Sequence, residues 1–303
     1  MKETVKITFG LAITCVIAGV ILGAVFIGTE NAKRYNAAVR EQETMRELLG
    51  YSIHNPAPPD LVFYSIYRYT AQGPDTQYIG YLLPVWEEKE TAYKLLLLNL
   101  DGSPAGRYTV SIPPDKVDDE FERADALKET LRNMEFSYAD SMIIAVKGGK
   151  RVAYIIPSKF PGFKTFIQVM LAVSPTFRIL GLEILESEED PGLGGEIEQD
   201  YFKNQFIGKR FERLKSLKVI KKPMPALYRR YLERDKYGES ILSKTEIEKI
   251  RQVYRDADIY AITGATISSK AVTNGVRAMV TKFAYRIRAL DTVIAQENIP
   301  VLF

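Results

Sequence analysis

Between Ile7 and Thr29 the chain carries no charged residue and consists mainly of Ile, Val, Leu, Ala and Gly. A stretch this long and apolar has few options. In a bilayer it spans as a single helix, because a helix satisfies every backbone N–H and C=O within itself. A cleaved signal peptide would have a shorter apolar core followed by a small-x-small site. The length therefore favours a retained anchor. Lys2 and Lys6 stand on one side of it, and Lys33, Arg34 and Arg40 on the other, so flanking charge does not set its direction.

The rest of the chain is long enough for one large domain or two small ones. Its charge is nearly balanced, 41 Lys and Arg against 38 Asp and Glu. That excludes the strong basic footprint of a nucleic-acid binder. The single cysteine, Cys15, lies inside the apolar run. An intramolecular disulfide, an iron–sulfur cluster and a zinc–thiolate site are thereby ruled out. His54 is the only histidine and sits in the Pro-rich stretch Ile53 to Pro59, where it reads as a surface residue. A His-cluster metal site is excluded, and a Ser-His-Asp apparatus is disfavoured. Any redox chemistry must come from a bound cofactor.

The spacing of apolar residues places the elements. Asn31 to Leu49 continues the membrane helix, with Gly50 as its stop. Strands are expected over Leu61–Tyr69, Tyr78–Trp86, Tyr93–Leu100 and Gly106–Ile112, with a hairpin turn at Asp101-Gly102. Trp86 reads as a half-buried strand aromatic. Val117 to Met134 is charged and weakly periodic, which predicts a solvent-washed helix. Met142–Val146 and Val152–Ile156 form a hairpin through Gly148-Gly149, both suited to positive φ. Further strands follow at Phe166–Val173 and Phe177–Leu185, then a short helix from Tyr201 to Arg213 bearing Phe202, Phe206 and Phe211. Leu214 to Arg255 is rich in bases (Lys215, Lys218, Lys221, Lys222, Arg229, Arg230, Arg234), partly offset by Glu233, Asp235 and Glu239. It reads either as a solvated insertion or as a docking surface for a partner subunit. Within it, Ser243-x-x-Glu246 is a capping box that opens a helix. The last residues, Ile299, Val301, Leu302 and Phe303, form an apolar tail. The two halves could each hold an antiparallel sheet.

Two stretches carry candidate chemistry. The first is Thr263-Gly264-Ala265-Thr266-Ile267-Ser268-Ser269-Lys270, between a strand-like run (Ile259 to Ile262) and a long helical pattern. The apolar positions of that helix, Val272, Val276, Met279, Val280, Phe283 and Ile287, recur as one buried face. N–H groups opening a helix lack intrahelical partners and favour an anion. The stretch is either an ordinary capped helix or a phosphate cradle. The second is Glu189-Asp190-Pro191-Gly192-Leu193-Gly194-Gly195-Glu196-Ile197. Pro191 and the glycines allow a tight, exposed backbone that can approach a ring closely. By itself it also reads as a plain strand-to-helix loop.

Thr263-Gly264-Ala265-Thr266 followed by Ile-Ser-Ser resembles the S/T-G-A-T-x-S/T signature of the FMN-binding domain family. Well-known members are the G component of the Rnf electron-transport complex and the C component of the sodium-translocating NADH:quinone oxidoreductase. Glu189 to Ile197 resembles that family's E-T-P-G-L-G segment. The similarity covers roughly Ser141 to Phe283. It differs at Asp190, where threonine is usual, and at Tyr260, where aspartate is common; the nearest acid is Asp258.

The resemblance implies an α+β fold: one N-terminal transmembrane helix, then an extracytoplasmic FMN-binding domain with an antiparallel sheet and packed helices. The corresponding segments are an anchor at 1–30, a membrane-proximal helix and α+β part at 31–140, an FMN-binding domain at 141–295 with a charged insertion at 214–255, and a tail at 296–303. FMN is then attached through its phosphate to Thr266. Thr263, Gly264, Ala265, Ser268, Ser269 and Lys270 surround the phosphate. Asp190, Pro191, Gly192, Leu193 and Gly194 lie beside the flavin. The implied role is electron relay in an Rnf-type ion-translocating complex in the cytoplasmic membrane. The other proteins of that complex and the lipid bilayer are the implied partners. The equivalent component of the quinone reductase, or a flavin-free assembly component, is the alternative.

Overall fold

The computed structural model describes residues 2–73, 76–132, 134–233 and 242–303. Arg234, Asp235 and Glu239 of the charged insertion lie outside these residues. The chain divides into two compact units, Met1–Glu47 and Leu48–Phe303. The first is helical throughout, because helix α1 runs unbroken over Lys2–Leu48. Its Lys6–Phe26 portion is long and apolar enough to cross a membrane. Gly50 follows with φ of 83°, the left-handed geometry that ends helices and that glycine adopts without strain.

The second unit is built on one eight-stranded antiparallel sheet in the order β4-β3-β2-β1-β5-β6-β7-β8. Four strands come from the first meander: β1 (Leu61–Gln72), β2 (Gln77–Glu87), β3 (Glu90–Asn99) and β4 (Pro104–Val110). Four come from the second: β5 (Glu135–Lys147), β6 (Lys150–Pro161), β7 (Phe166–Val173) and β8 (Ile179–Glu186). The expected sheet in each half is thus corrected to two meanders fused through β1 and β5 into a single sheet. Gly148 and Gly149, at φ of 55° and 71°, make the β5–β6 turn as their sequence predicts.

Both faces of the sheet are covered, which explains strands without strict alternation. In β3, Leu96 and Leu98 join the larger core while Leu95 and Leu97 join a second, smaller one. That second core includes Ala126, Leu127 and Leu131 from and beside helix α2 (Glu120–Thr130). The helix expected to be washed by solvent is in fact the cover of the first meander. Its buried Arg123 is what obscured this. The Arg123 guanidinium donates to Tyr69 Oη and the Val117 carbonyl and stacks 3.8 Å over the Tyr67 ring.

Beyond β8 the chain forms short pieces: α3 (Asp200–Lys203), α4 (Phe211–Lys215), β9 (Val219–Ile220), α5 (Ala226–Leu232), α6 (Lys244–Tyr254) and β10 (Ile259–Tyr260). The single helix expected over Tyr201–Arg213 breaks because Gly208 turns at φ of 81°. Its N–H then donates to the Ile179 carbonyl, returning the chain to the sheet. Phe202 and Phe206 are fully buried. The insertion is not a loose appendage. Leu214, Leu217, Tyr228, Leu232 and Ile250 belong to the main core. Its bases lie towards solvent, with Lys215, Lys218, Lys221, Lys222, Arg229 and Arg230 all outside that core. Ser243 and Glu246 form the predicted capping box.

Helix α7 (Thr266–Gln296) crosses the sheet, and every residue of its predicted apolar face is buried. Gly275 lets it approach β6, since a Cβ there would stand 2.5 Å from the Phe160 ring. The apolar tail packs on the same unit. Near the end of β2, Trp86 N donates to the Pro300 carbonyl and Val301 bridges Val85.

Candidate functional site

Three backbone segments meet at the N-terminus of α7. They are the turn after β6 (Gly162 to Lys164), the loop after β8 (Glu189 to Gly195) and the turn Thr263 to Ala265. Glu189 joins them. It is buried, yet it is fully used as an acceptor. Its Oε1 takes N–H bonds from Phe163 at 2.6 Å and Lys164 at 3.3 Å, and its Oε2 takes the Ser268 hydroxyl at 2.5 Å. A buried carboxylate is tolerated only with such donors.

The glycines let these segments close in. At Gly194 a Cβ would stand 2.5 Å from Glu189 Oε2 and 2.9 Å from Ser268 Oγ. At Gly264, φ is 81° and a Cβ would meet Leu193 Cδ2 at 2.9 Å. The Asp190 carbonyl accepts from Leu193 N and Gly195 N, folding the loop into a tight turn. The Asp190 carboxylate pairs with Lys164 Nζ at 2.5 Å, so that acid is locally offset.

A cleft of about 90 Å³ opens at the junction. Phe163, Leu193 and Ile267 line it with exposed apolar side chains; Glu189, Asp190, Gly194, Gly264, Ala265 and Ser268 complete the wall. Thr266 lies between two lining residues as the first residue of α7 and is half-buried. Among the described residues, none hydrogen-bonds its hydroxyl. The first backbone bond into the helix is from Ser269 N to Ala265 O. The amides of Thr266, Ile267 and Ser268 therefore point out of the helix end without a backbone acceptor. Ala265, the cap residue, contributes no side-chain cap. An anion here would meet three free N–H donors and the positive end of a long helix.

The remaining predicted residues sort by geometry. Lys270 is exposed one turn on from Thr266 and on the same side. Thr263 is exposed beside the turn, and Pro191 and Gly192 are exposed at the loop tip, outside the cleft lining. Ser269 is fully buried and occupied by the turn, accepting from Ile262 N and donating to the Ala265 carbonyl. Asp258 is likewise committed, accepting from Arg213 and Lys218 N. Tyr260 contributes its backbone: Gln205 clamps both its N–H and its carbonyl, at 2.7 and 3.2 Å.

Sequence reasoning missed Glu189 as the keystone, and it missed Phe163 and Ile267 as apolar lining. Glu189 heads the block that resembles the family's E-T-P-G-L-G segment, and that resemblance was the available signal. Phe163 and Ile267 are exposed apolar residues that only the fold brings together. No group of three or more His, Cys, Asp or Glu among the described residues could hold a metal ion.

Residues 162–281 match the FMN-binding domain family. The chain is 33% identical over 136 residues to the G component of the proton-translocating ferredoxin:NAD(+) oxidoreductase complex of Clostridium ljungdahlii, covering 45% of this chain and 56% of that protein. It thus spans little more than half the length of that relative. It is 23% identical over 235 residues to the C component of the Na(+)-translocating NADH-quinone reductase of Vibrio parahaemolyticus, covering 75% of this chain and 80% of that protein. The crystal structure of Shewanella oneidensis NqrC superposes over 61% of this chain and 76% of that one, at 17% identity and a TM-score of 0.35.

Proposed function

We propose that this chain, whose residues 162–281 match the FMN-binding domain family, carries FMN as a phosphoester on Thr266 and relays electrons. The setting is an Rnf-type ion-translocating ferredoxin:NAD oxidoreductase complex. The observation that carries the reading is the Thr266 hydroxyl. It has no hydrogen-bond partner among the described residues, and it sits at a helix N-terminus beside a cleft with apolar walls.

The residues present suit such a group. The Thr266 Oγ would carry the ester, and the amides of Thr266, Ile267 and Ser268 would donate towards the phosphate. Lys270 would add a cation. Gly194 and Gly264 allow backbone to come close, and Phe163, Leu193 and Ile267 offer apolar contact to a ring. When bound, FMN supplies one- and two-electron transfer. Glu189 binds no substrate in this account; it pins loop, turn and helix in register.

The membrane role rests on the Lys6–Phe26 segment and on the relatives' names. In this reading the segment is a single-pass anchor in the cytoplasmic membrane, with the large unit on the extracytoplasmic side. The bases at Lys215, Lys218, Lys221, Lys222, Arg229 and Arg230 form the docking surface for a partner protein of the complex. Membership of the quinone-reductase complex is the second reading, favoured by the longer share of that relative's length that aligns. Identity over the aligned residues favours the first.

Flavin fluorescence on a denaturing gel tests the covalent claim. Wild type, produced in a host able to attach flavin, gives a fluorescent band; so does Thr266→Ser, which keeps the ester oxygen, and Thr266→Ala is dark. A dark wild-type band from protein that still co-purifies with membrane partners would transfer the argument to a flavin-free assembly component.

A further inference from the structure

A second cleft, of about 410 Å³, opens between β1, β5, β6 and α7. Along α7 it runs from Gly275, nine residues and about 14 Å beyond Thr266, to Arg286, twenty residues and about 30 Å beyond it. It shares no lining residue with the cleft at Thr266, and nothing said of it depends on the flavin reading. Its volume falls in the range of small-molecule sites.

The back wall is apolar: Ile66, Met142, Ile156, Phe160, Met279 and Phe283. The charge is concentrated elsewhere in the lining. Arg68 reaches Asp140 with Nε at 2.7 Å and Nη2 at 2.5 Å, and Arg286 reaches the same carboxylate at 3.0 Å. Lys282, one turn before Arg286, lines the cleft without an ion-pair partner among the described residues. Among the described residues Asp140 is the only acid in the lining, against Arg68, Lys159, Lys282 and Arg286. Arg68 stands opposite Asp140 at the last position of the regular β1–β5 register, and the pairing shifts immediately after it, between Arg68 and Tyr69. Such bulges re-aim side chains and cluster beside binding sites.

Tyr81 supplies an independent sign. It is the cross-strand partner of Arg68 and is only 4% exposed. Its ring lines the cleft, yet its hydroxyl has no hydrogen-bond partner among the described residues. No buried side-chain nitrogen or oxygen among the described residues lacks a partner, so this hydroxyl is open to water, and the cleft is the space its side chain lines. Surplus cations, an unspent hydroxyl donor and an apolar back wall fit one kind of ligand.

We propose that this cleft binds a small amphipathic anion, one carboxylate or phosphate carried on an apolar tail or ring. Arg286, Lys282 and Tyr81 take the anionic head, and the wall around Phe160 and Phe283 takes the apolar part. Arg68 is held by Asp140 and positions the carboxylate that steers Arg286.

The test uses the full chain in phosphatidylcholine nanodiscs, with empty discs as the blank. The probe is 2-naphthyl phosphate, and 2-naphthol is its neutral control. Wild type binds the phosphate saturably and at least about tenfold tighter than the naphthol, the ratio one charge-assisted hydrogen bond supplies. Lys282→Gln with Arg286→Gln weakens the phosphate by at least about tenfold and leaves naphthol binding unchanged. Tyr81→Phe, which keeps the ring, weakens it by a smaller factor and decides the matter if the double variant unfolds. No saturable binding, equal affinity for both probes, or variants that bind like wild type would overturn the proposal. Native mass spectrometry of the purified chain then separates the sources. A retained mass of a diacyl phospholipid assigns the anion to the bilayer; a bare chain that binds naphthyl phosphate assigns it to a soluble amphiphile.

Discussion

Glu189 shows how one side chain can set a site. Its carboxylate is spent on Phe163 N, Lys164 N and Ser268 Oγ, so it cannot move without releasing a loop, a turn and a helix end. Gly194 presses against it. In Gly194→Ala the new Cβ would stand 2.5 Å from Glu189 Oε2, and the carboxylate has nowhere to yield. The expected cost is about 1–3 kcal/mol, the range for overpacking a closed site. Flavin loading should fall with it. Thermal unfolding of the full chain measures the first, and bound-flavin absorbance measures the second. Stability within about 0.5 kcal/mol of wild type, the spread of an ordinary surface substitution, would contradict the close-packed reading. None of this contact geometry is written in the sequence. The motif gives Glu-Asp-Pro-Gly its place, but which donors the glutamate meets depends on segments far away in the chain, Phe163 on one side and Ser268 on the other.

The elements differ in how well local pattern predicts them. Helix α7 and the β5–β6 hairpin were legible because one face, or one turn, obeys a local rule. Helix α2 was misread because Arg123 falls on its buried side, and a pattern of apolar residues cannot register a buried arginine that stacks on Tyr67. Helix α6 carries a related surprise at its far end. The buried Lys209 ammonium donates to the carbonyls of Tyr254 and Arg255 at the helix end; the Tyr254 carbonyl also accepts the Ala257 N–H. Burial, with Arg213 nearby, holds its pKa down to about 8 from an ordinary 10.5, against the opposing pull of Asp256 and Asp258. Between those two values the unfolded chain binds a proton that the folded chain has released. Stability due to this group therefore rises with pH across that window and is flat below it. The difference in unfolding free energy between wild type and Lys209→Met should move in favour of wild type over that range. At about 1.36 kcal/mol per pKa unit the gain is at most about 3 kcal/mol. A difference that stays level from pH 8 to pH 10.5 would remove Lys209 from the account.

For the whole molecule, the sequence held the strands but not their assembly. Two meanders were readable; their fusion through β1 and β5 was not, because the pairing joins residues as far apart as Leu61 and Lys147. The insertion at 214–255 reads as solvated or as a docking surface because lysine and arginine are dense in it. Its Tyr228, Leu232 and Ile250 are nonetheless part of the core that supports α7. The site thus stands on residues from the second meander, from the insertion and from the final helix. The central claim, a flavin held through Thr266, reduces to a mass. Intact mass spectrometry of the purified wild-type chain should show one FMN less one water above the bare sequence, and Thr266→Ala should show the bare sequence alone. A wild type at the bare mass, or an adduct that persists in Thr266→Ala, would contradict it.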